Sequence, residues 1–216
     1  MGTVATATIT DYFGPRFATI SLDRHRGKGA AVRTAMQNAS GRVVGFIDAD
    51  LPFELAALRD GYLQIRSGQC QVVFGARDLG ESARLVRRRP SRILATSVFR
   101  GLTRRLISRE VTDTQCGLKL FRHDVARQIY SRTTLDGFAS DAEVVLWTER
   151  LKLRYRRMPV SLVREYGSTL SLWRDTMPML LDIVRLWWRH RAVRDIPPSC
   201  PSPLTVPDVA ERRPAA

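Results

Sequence analysis

At residues 43–50 the chain reads VVGFIDAD, a short apolar run that ends in two carboxylates, Asp48 and Asp50. An apolar run bounded by turn residues is typical of a buried strand in a parallel sheet. Ligands of open α/β sheets bind beyond the carboxyl ends of such strands, and Mg²⁺ prefers oxygen ligands, often carboxylates completed by waters and phosphates. The pair therefore predicts either a metal site for a nucleotide diphosphate or a helix cap with acidic first-turn neighbours.

Strand and helix patterns alternate on both sides of this stretch. We expect, in order, a strand at 18–22, a helix at Gly27–Ala39, a strand at Arg42–Ile47, a helix at Pro52–Gly68 and a strand at Gln71–Phe74. Strands that alternate with helices predict an α/β fold with a mostly parallel sheet flanked by helices. A polar, basic loop at residues 78–89 follows, and loops of this kind often cover bound substrates.

The second half of the chain continues with the same two types of element. We expect a helix at about 90–108, a return to the sheet or its edge at 112–121, a helix at 138–151 and a strand at 155–163. Apolar residues at helical spacing predict an amphipathic helix at about 177–189, which either packs on the domain or lies on a membrane surface. Residues 195–216 hold six of the eleven prolines and predict a disordered tail, which leaves one domain at 1–194.

Composition narrows the classes of protein to consider. The net charge of +14 suits phosphates, anionic lipids or nucleic acid, but only three of the 35 basic residues are lysine, which indicates a general coding preference for arginine. No zinc module or aromatic-interleaved basic motif supports nucleic-acid binding. The three cysteines have no metal-ligand spacing, and no apolar run is long enough for a transmembrane span.

Five motifs, which follow one another along the chain, are more specific together than the aspartate pair alone. They are RGKGAAVR at Arg26–Arg33, DAD at Asp48–Asp50, GAR at Gly75–Arg77, DTQCGLKLF at Asp113–Phe121 and FASDAE at Phe138–Glu143. Over about Ile20–Val184 this set resembles the family 2 glycosyltransferases, in particular the polyprenyl-phosphate sugar transferases of the dolichyl-phosphate glucosyltransferase and mannosyltransferase branch. The resemblance implies a GT-A fold, which is a Rossmann-like nucleotide-binding α/β domain.

The resemblance also implies roles for individual residues. Asp48 and Asp50 would hold Mg²⁺ or Mn²⁺ on the donor diphosphate. Asp113, Asp141 and Glu143 would be the catalytic carboxylates that line the sugar and acceptor pocket. Substrate contacts are implied for Lys28, Arg77, Arg88, Arg92, Gln115 and Lys119. The arginines between residues 87 and 105 form a basic band that either holds the acceptor at a membrane surface or is a solvated face.

The implied reaction moves a hexose, with inversion, from a nucleoside-diphosphate sugar of the UDP-glucose or GDP-mannose type to a polyprenyl or dolichyl phosphate. We expect a peripheral protein on the cytoplasmic, inner face of a membrane. The sequence leaves open whether the chain forms a homo-oligomer. The strings Pro-x-x-Asn-Glu and Asp-Asp-Gly-Ser, which usually begin the family's domain, are absent, so we expect an N-terminally truncated domain. Two alternatives remain, a non-catalytic remnant that binds a membrane or a partner transferase, and a transferase for a soluble glycan.

Overall fold

The computed structural model describes residues 20–48, 56–79, 90–160 and 176–191, with the backbone alone for 90–96 and for residue 176. From residue 27 onward this part of the chain forms the helices and strands that the sequence predicts, and it adds a helix at His123–Tyr130 that the sequence analysis does not predict. The helices are α1 (Lys28–Asn38), α2 (Ala56–Arg66), α3 (Pro90–Leu106), α4 (His123–Tyr130), α5 (Ser140–Arg150) and α6 (Thr176–His190). The strands are β1 (Val43–Ile47), β2 (Val72–Ala76), β3 (Leu118–Arg122) and β4 (Tyr155–Pro159). The expected α/β fold is confirmed.

The four strands form one sheet in the order β1-β3-β2-β4. Strands β1, β2 and β4 run in the same direction, because β1 and β2 are each antiparallel to β3 and β4 is parallel to β2. The mostly parallel character of the sheet is therefore confirmed by strand direction. The segment expected in the sheet or at its edge supplies β3, which runs the opposite way between β1 and β2 with all five residues buried.

The strand expected at 18–22 is wrong for the part that the structure describes. Ile20–Leu22 form no strand, and Ile20 is 47% exposed, whereas residues 18–19 lie outside the described residues. An apolar run becomes a strand only where it finds a partner in a sheet, and the segment that follows is held instead by an ion pair of 2.9 Å between Arg26 and Asp136. The expected tail at 195–216 also lies outside the described residues.

Alternation of side chains along the strands divides the core between the two faces of the sheet. Val72 and Phe74 of β2 pack on the face toward α1, α4 and α5, and Val73 packs on the face toward α2. Phe121 of β3 belongs to the first face. Each such side chain contributes about 1.5–3 kcal/mol by leaving water. Lys119 lies two residues before Phe121 in β3, so its side chain points to the same apolar face of the sheet.

The amphipathic helix predicted at about 177–189 is observed as α6, and one of its faces packs on the domain. Ile183 is fully buried in a cluster with Phe99 of α3 and Ala142 of α5. The opposite face exposes large apolar side chains at helical spacing, namely Met177, Leu181, Val184 and Trp188. Among the helices that the structure describes, none combines the length and the apolar character that a bilayer crossing requires.

Candidate active site

Asp48 directly follows β1, beside the turn that leads into β3. Its backbone N–H donates to the carbonyl of Gly117 at 3.0 Å, which extends the β1–β3 pairing by one residue. The Asp48 carboxylate lies so close to Gly117 that a Cβ there would be 1.9 Å from Oδ2. Gly117 therefore makes room for this carboxylate. The side chain of Asp48 is 35% exposed, so it remains accessible to a ligand from solvent.

Asp48 is the outer member of a row of four alternating charges, which we call the ion-pair row and which consists of Asp48, Lys28, Asp141 and Lys119. Lys28 Nζ lies 2.8 Å from Asp48 Oδ1 and 3.2 Å from Asp141 Oδ2. Lys119 Nζ lies 2.6 Å from Asp141 Oδ1. Both ammonium groups lie over the ring of Phe46, 5.8 and 5.3 Å from its centroid. The structure thus unites residues from α1, β1, α5 and β3 in one electrostatic unit.

The outer lysine of the row stays charged because of its two carboxylate neighbours. Burial alone would lower the pKa of Lys28. Asp141 and Asp48 outweigh this effect and hold the pKa of Lys28 above its ordinary value. The ammonium is therefore protonated at neutral pH, and it neutralises the carboxylate that the sequence assigns to a metal.

The inner lysine of the row has no donor left for a substrate. Lys119 is 1% exposed, and its Nζ donates to the carbonyl oxygens of Thr114 and Cys116 at 3.1 and 2.8 Å as well as to Asp141. An ammonium carries three N–H donors, so all of them are engaged. A direct contact of Lys119 with a phosphate stays a prediction, and the observed bonds give it the role of holding the 114–117 turn and Asp141 in place.

Arg77 and Asp113 form a second charged unit at the end of β2. Asp113 accepts three hydrogen bonds from Arg77, from its backbone N–H at 2.9 Å, from Nε at 2.9 Å and from Nη2 at 2.7 Å. Burial would raise the pKa of Asp113, but the hydrogen bonds and charge of Arg77 prevail and hold the pKa below its ordinary value. The predicted catalytic Asp113 is thus an ionised carboxylate whose two oxygens are already engaged.

Glu143 organises the loop between α4 and α5. Its carboxylate is fully buried and accepts hydrogen bonds from the backbone N–H groups of Thr134 and Leu135, at 2.8–2.9 Å, and from the Thr134 hydroxyl at 3.1 Å. Direct contact of Glu143 with a sugar stays a prediction. The observed bonds make it a positioning residue for the loop that closes against Gly29, where a Cβ would meet the carbonyl oxygen of Leu135 at 2.5 Å.

The two glycines of the RGKG motif make room for this loop. Gly27 has φ of 109°, a conformation that favours glycine, and a Cβ there would meet the carbonyl oxygen of Asp136 at 2.5 Å. Arg26 and Arg33 both pair with the Asp136 carboxylate. The backbone that approaches these glycines closely is therefore the 135–137 loop of the protein itself, which fixes Lys28 in front of Asp48.

A search of protein families matches residues 3–130 of this chain to the model for Glycosyl transferase family 2. The chain belongs to this family. Among curated proteins, the chain is 27% identical over 175 residues to a dolichyl-phosphate beta-glucosyltransferase of Dictyostelium discoideum, covering 79% of this chain and 54% of that protein. It is 29% identical over 178 residues to the protein of the same name from Drosophila melanogaster, with 79% and 54% coverage. Glycosyltransferase AglD of Haloferax volcanii is 25% identical over 167 residues, covering 77% of this chain and 26% of that protein.

The family 2 chain spans about half the length of the glucosyltransferases that it matches. Its match to the family model includes the RGKG, DAD, GAR and DTQCGLKLF motifs and ends before FASDAE. The geometry of the ion-pair row nevertheless joins FASDAE to the others, because Asp141 bridges Lys28 and Lys119.

Some predicted site residues of this family 2 chain are not placed. Asp50 and Arg88 lie outside the described residues, and Arg92 is described by its backbone in α3 alone. Gln115 lies in the turn before β3, beside Asp113 and Cys116. Its amide nitrogen is buried and has no hydrogen-bond partner among the described residues, and its contact with a substrate stays a prediction.

Among the described residues, one of the two carboxylates predicted to bind a divalent cation is present, and it is already paired. Asp48 has the oxygen chemistry that Mg²⁺ and Mn²⁺ prefer, but the ammonium of Lys28 holds its Oδ1. No cluster of three histidine, cysteine, aspartate or glutamate residues occurs in the part of the chain that the structure describes. Burial raises the pKa of the Cys116 thiol to about 11, so it is not a thiolate ligand at neutral pH. A divalent cation on Asp48 Oδ1 would therefore have to compete with the Lys28 ammonium, and binding of Mg²⁺ or Mn²⁺ here stays a prediction.

Sequence reasoning missed two members of the site. Asp136, the shared partner of Arg26 and Arg33, precedes Gly137 in an ordinary turn dipeptide and carries no motif. Phe46 reads as one apolar residue of a strand. The alternation of β1 and β3 contained the signal for Phe46, because that residue pairs directly with Lys119 in the antiparallel register and therefore shares its face.

Proposed function

We propose that this chain transfers a hexose, specifically glucose, from a nucleoside-diphosphate sugar to a polyprenyl or dolichyl phosphate. The proposal is based mainly on the position of Asp48. In this family 2 chain the Asp48 carboxylate lies at the carboxyl end of β1, next to Gly117 and Lys28. Ligands of α/β sheets bind beyond such strand ends. The names of the Dictyostelium and Drosophila relatives support glucose as the sugar and a lipid phosphate as the acceptor.

The charge state of the site agrees with this acceptor. A phosphate monoester has its second pKa near ~6, so it is an anionic nucleophile at neutral pH and needs no strong general base. Asp113 is bound to Arg77, and Asp141 lies between two lysines. We therefore assign Asp113 and Asp141 to charge balance and positioning rather than to obligatory proton removal.

The donor diphosphate would lie beside Asp48. Asp48 and Asp50 would hold Mg²⁺ or Mn²⁺, which when bound offsets the charge of the departing diphosphate. Lys28 would contact the same phosphates, and Gln115 would donate its buried amide N–H to the substrate. Arg77 would keep Asp113 oriented at the end of β2.

The exposed face of α6 supports an acceptor that is presented by a membrane. Leu181 and Trp188 are 51% and 55% exposed, and Arg191 stacks on Trp188 with 3.6 Å from its guanidinium carbon to the ring centroid. Apolar and aromatic side chains flanked by arginine are typical of helices that lie in a membrane interface. We propose that this face contacts the lipid surface while Arg88 and Arg92 hold the acceptor phosphate.

A transfer assay with the full chain tests the proposal. Labelled UDP-glucose, GDP-mannose and UDP-galactose are each offered with dolichyl phosphate in detergent, and we expect labelled lipid from a glucose donor. Asp48→Asn should lower the rate by about a hundredfold or more, since it would remove a charged ligand of the cation that offsets the developing diphosphate charge. Asp60→Asn, on the exposed surface of α2, is the matched control and should keep the wild-type rate.

Three results would contradict the proposal. Absence of labelled lipid with every donor, while the protein is folded, would favour a non-catalytic remnant. Transfer to a water-soluble glycan but not to dolichyl phosphate would favour the soluble acceptor. Full activity of the Asp48→Asn variant would separate Asp48 from the chemistry.

A further inference from the structure

Lys28 occupies an unusual place for a cation. It is the first residue of α1, and its ammonium lies near the end of a helix where the backbone N–H groups favour negative charge. No acidic residue occurs in the first turn of α1 to offset it. What stabilises the ammonium is the pair of carboxylates from other elements, Asp48 at 2.8 Å and Asp141 at 3.2 Å. The position of Lys28 is therefore explained by these two acids and by no neighbour in its own helix.

The ion-pair row is neutral as it stands. Two aspartates and two lysines alternate in it, so Asp48 already has a counter-ion on its Oδ1. A divalent cation that approached Asp48 in this arrangement would meet the ammonium of Lys28 at the same oxygen. Like charges at such distances repel strongly, so the two cations compete for the one carboxylate.

The two lysines of the row differ in their freedom to move. Lys119 is enclosed, and all three of its N–H donors are engaged. Lys28 has 22% of its side chain exposed, and its contacts are made by the tip of a flexible four-carbon stem. Withdrawal of Lys28 would leave Asp141 with Lys119 as its partner, so no buried carboxylate would lose all compensation. Lys28 can therefore exchange partners without unfolding the site.

We propose that Lys28 is an exchangeable counter-ion that occupies the cation position on Asp48 in the donor-free protein and moves to the phosphates of an arriving nucleoside diphosphate. The inference rests on the proposed function for the identity of the donor. Its consequence is that the metal and the nucleotide bind in a coupled manner, because the diphosphate supplies the negative charge that draws Lys28 away and frees the carboxylate. The protein alone then binds a divalent cation weakly.

Binding of Mn²⁺ to the full chain without nucleotide tests this exchange, with free Mn²⁺ measured by electron paramagnetic resonance. We expect Lys28→Met to bind Mn²⁺ at least about tenfold more tightly than the wild type, since a unit positive charge has left the carboxylate. Lys28→Gln should behave in the same way, and Lys28→Arg, which keeps the charge, should remain weak. Lys152→Met, in an exposed turn, is the control and should match the wild type.

A double variant identifies the carboxylate. In Lys28→Met/Asp48→Asn the gained affinity should disappear, which would place the Mn²⁺ on Asp48. Unchanged or weaker Mn²⁺ binding in both Lys28→Met and Lys28→Gln, with circular dichroism and melting like the wild type, would overturn the exchange. A gain that persists in the double variant would overturn it too, because the metal would then lie elsewhere.

A second measurement adds UDP or GDP. In the wild type the nucleotide should strengthen Mn²⁺ binding, and in Lys28→Met the ratio of the two affinities should be smaller. The outcomes separate the exchange from the proposed function. Sugar transfer by the wild type together with no Mn²⁺ gain in Lys28→Met refutes the exchange alone, and a Mn²⁺ gain without any sugar transfer refutes the proposed function alone.

Discussion

The two ends of the site hold the same kinds of charge in opposite ways. At the inner end, Lys119 and Asp141 are 1% and 3% exposed, and Arg77 makes three hydrogen bonds to Asp113. At the outer end, Asp48 and Lys28 meet through a single contact and remain partly exposed. Each inner pair is thus held by several hydrogen bonds around a buried carboxylate, whereas the outer pair has fewer contacts, and this difference is the basis of the exchange proposed for Lys28.

The strongest test of this difference between the two ends of the site is the removal of Lys119, the inner lysine. Lys119→Met leaves two carbonyl oxygens and part of the Asp141 charge without a donor in a buried place, and we expect a loss of about 3–5 kcal/mol in the free energy of unfolding. Lys28→Met is the matched variant at the outer end, and it should cost less than about 1 kcal/mol. Urea denaturation measures both. Equal losses would show that the two ends do not differ.

The Arg77–Asp113 pair predicts a dependence of stability on pH. The pKa of Asp113 lies below its ordinary value of about 4, so the pair stabilises the fold fully above that pH and loses its effect as the pH falls through the folded-state pKa. Asp113→Asn should therefore be less stable than the wild type by about 3 kcal/mol at pH 7, a gap that narrows below pH 4.

Denaturation curves from pH 7 to pH 3 measure this gap. Arg77→Gln serves as the control, because burial then raises the pKa of Asp113 and adding Asp113→Asn should no longer cause a loss of stability at pH 7 that narrows below pH 4. A gap that is constant over the whole range would contradict the assignment of the charge to this pair.

Substitution of Gly117 tests whether the position of the Asp48 carboxylate depends on the space beside this glycine. In Gly117→Ala the new Cβ would meet Asp48 Oδ2, and we expect a cost of about 1–3 kcal/mol together with weaker Mn²⁺ binding in the presence of nucleotide. The φ of Gly117 is not among the positive values of the described glycines, so the backbone itself tolerates alanine.

The double variant Gly117→Ala/Asp48→Ala should be as stable as Asp48→Ala alone, because the clash has been removed. An additive loss in the double variant would show that Gly117 has another steric role. Thermal melting and urea denaturation give the comparison.

The smallest effect concerns glycines with free space around them, away from both ends of the site. Gly101 lies within α3, and a Cβ there would meet nothing within 4 Å. We expect Gly101→Ala to stabilise the protein by about 0.5–1 kcal/mol, because alanine is the better helix former. Gly68 has the same open space but φ of 74°, so Gly68→Ala should destabilise by about 1 kcal/mol. Thermal melting distinguishes the two, and equal signs would contradict the backbone argument.

Local patterns in the sequence were enough to predict several elements, and they also predict a site at the end of β1, which stays a prediction. The apolar run before Asp48 predicted β1, the spacing of apolar residues predicted α6, and the DTQCGLKLF motif located β3. The orientation of β3 could not be read from its own residues, because strand direction is decided by pairing with β1 and β2. The apolar stretch at 18–22 had a strand pattern but, over Ile20–Leu22, no pairing.

The sequence by itself determined the family, the α/β alternation and the types of charged residue that the site contains. Only the tertiary structure decided which of those charges neutralise one another. Lys28 and Asp141 are far apart in the chain, and their contact at 3.2 Å depends on the 135–137 loop that closes against Gly27 and Gly29. Side-chain type follows from the sequence, but electrostatic energy depends on distance and burial, and both are set by packing.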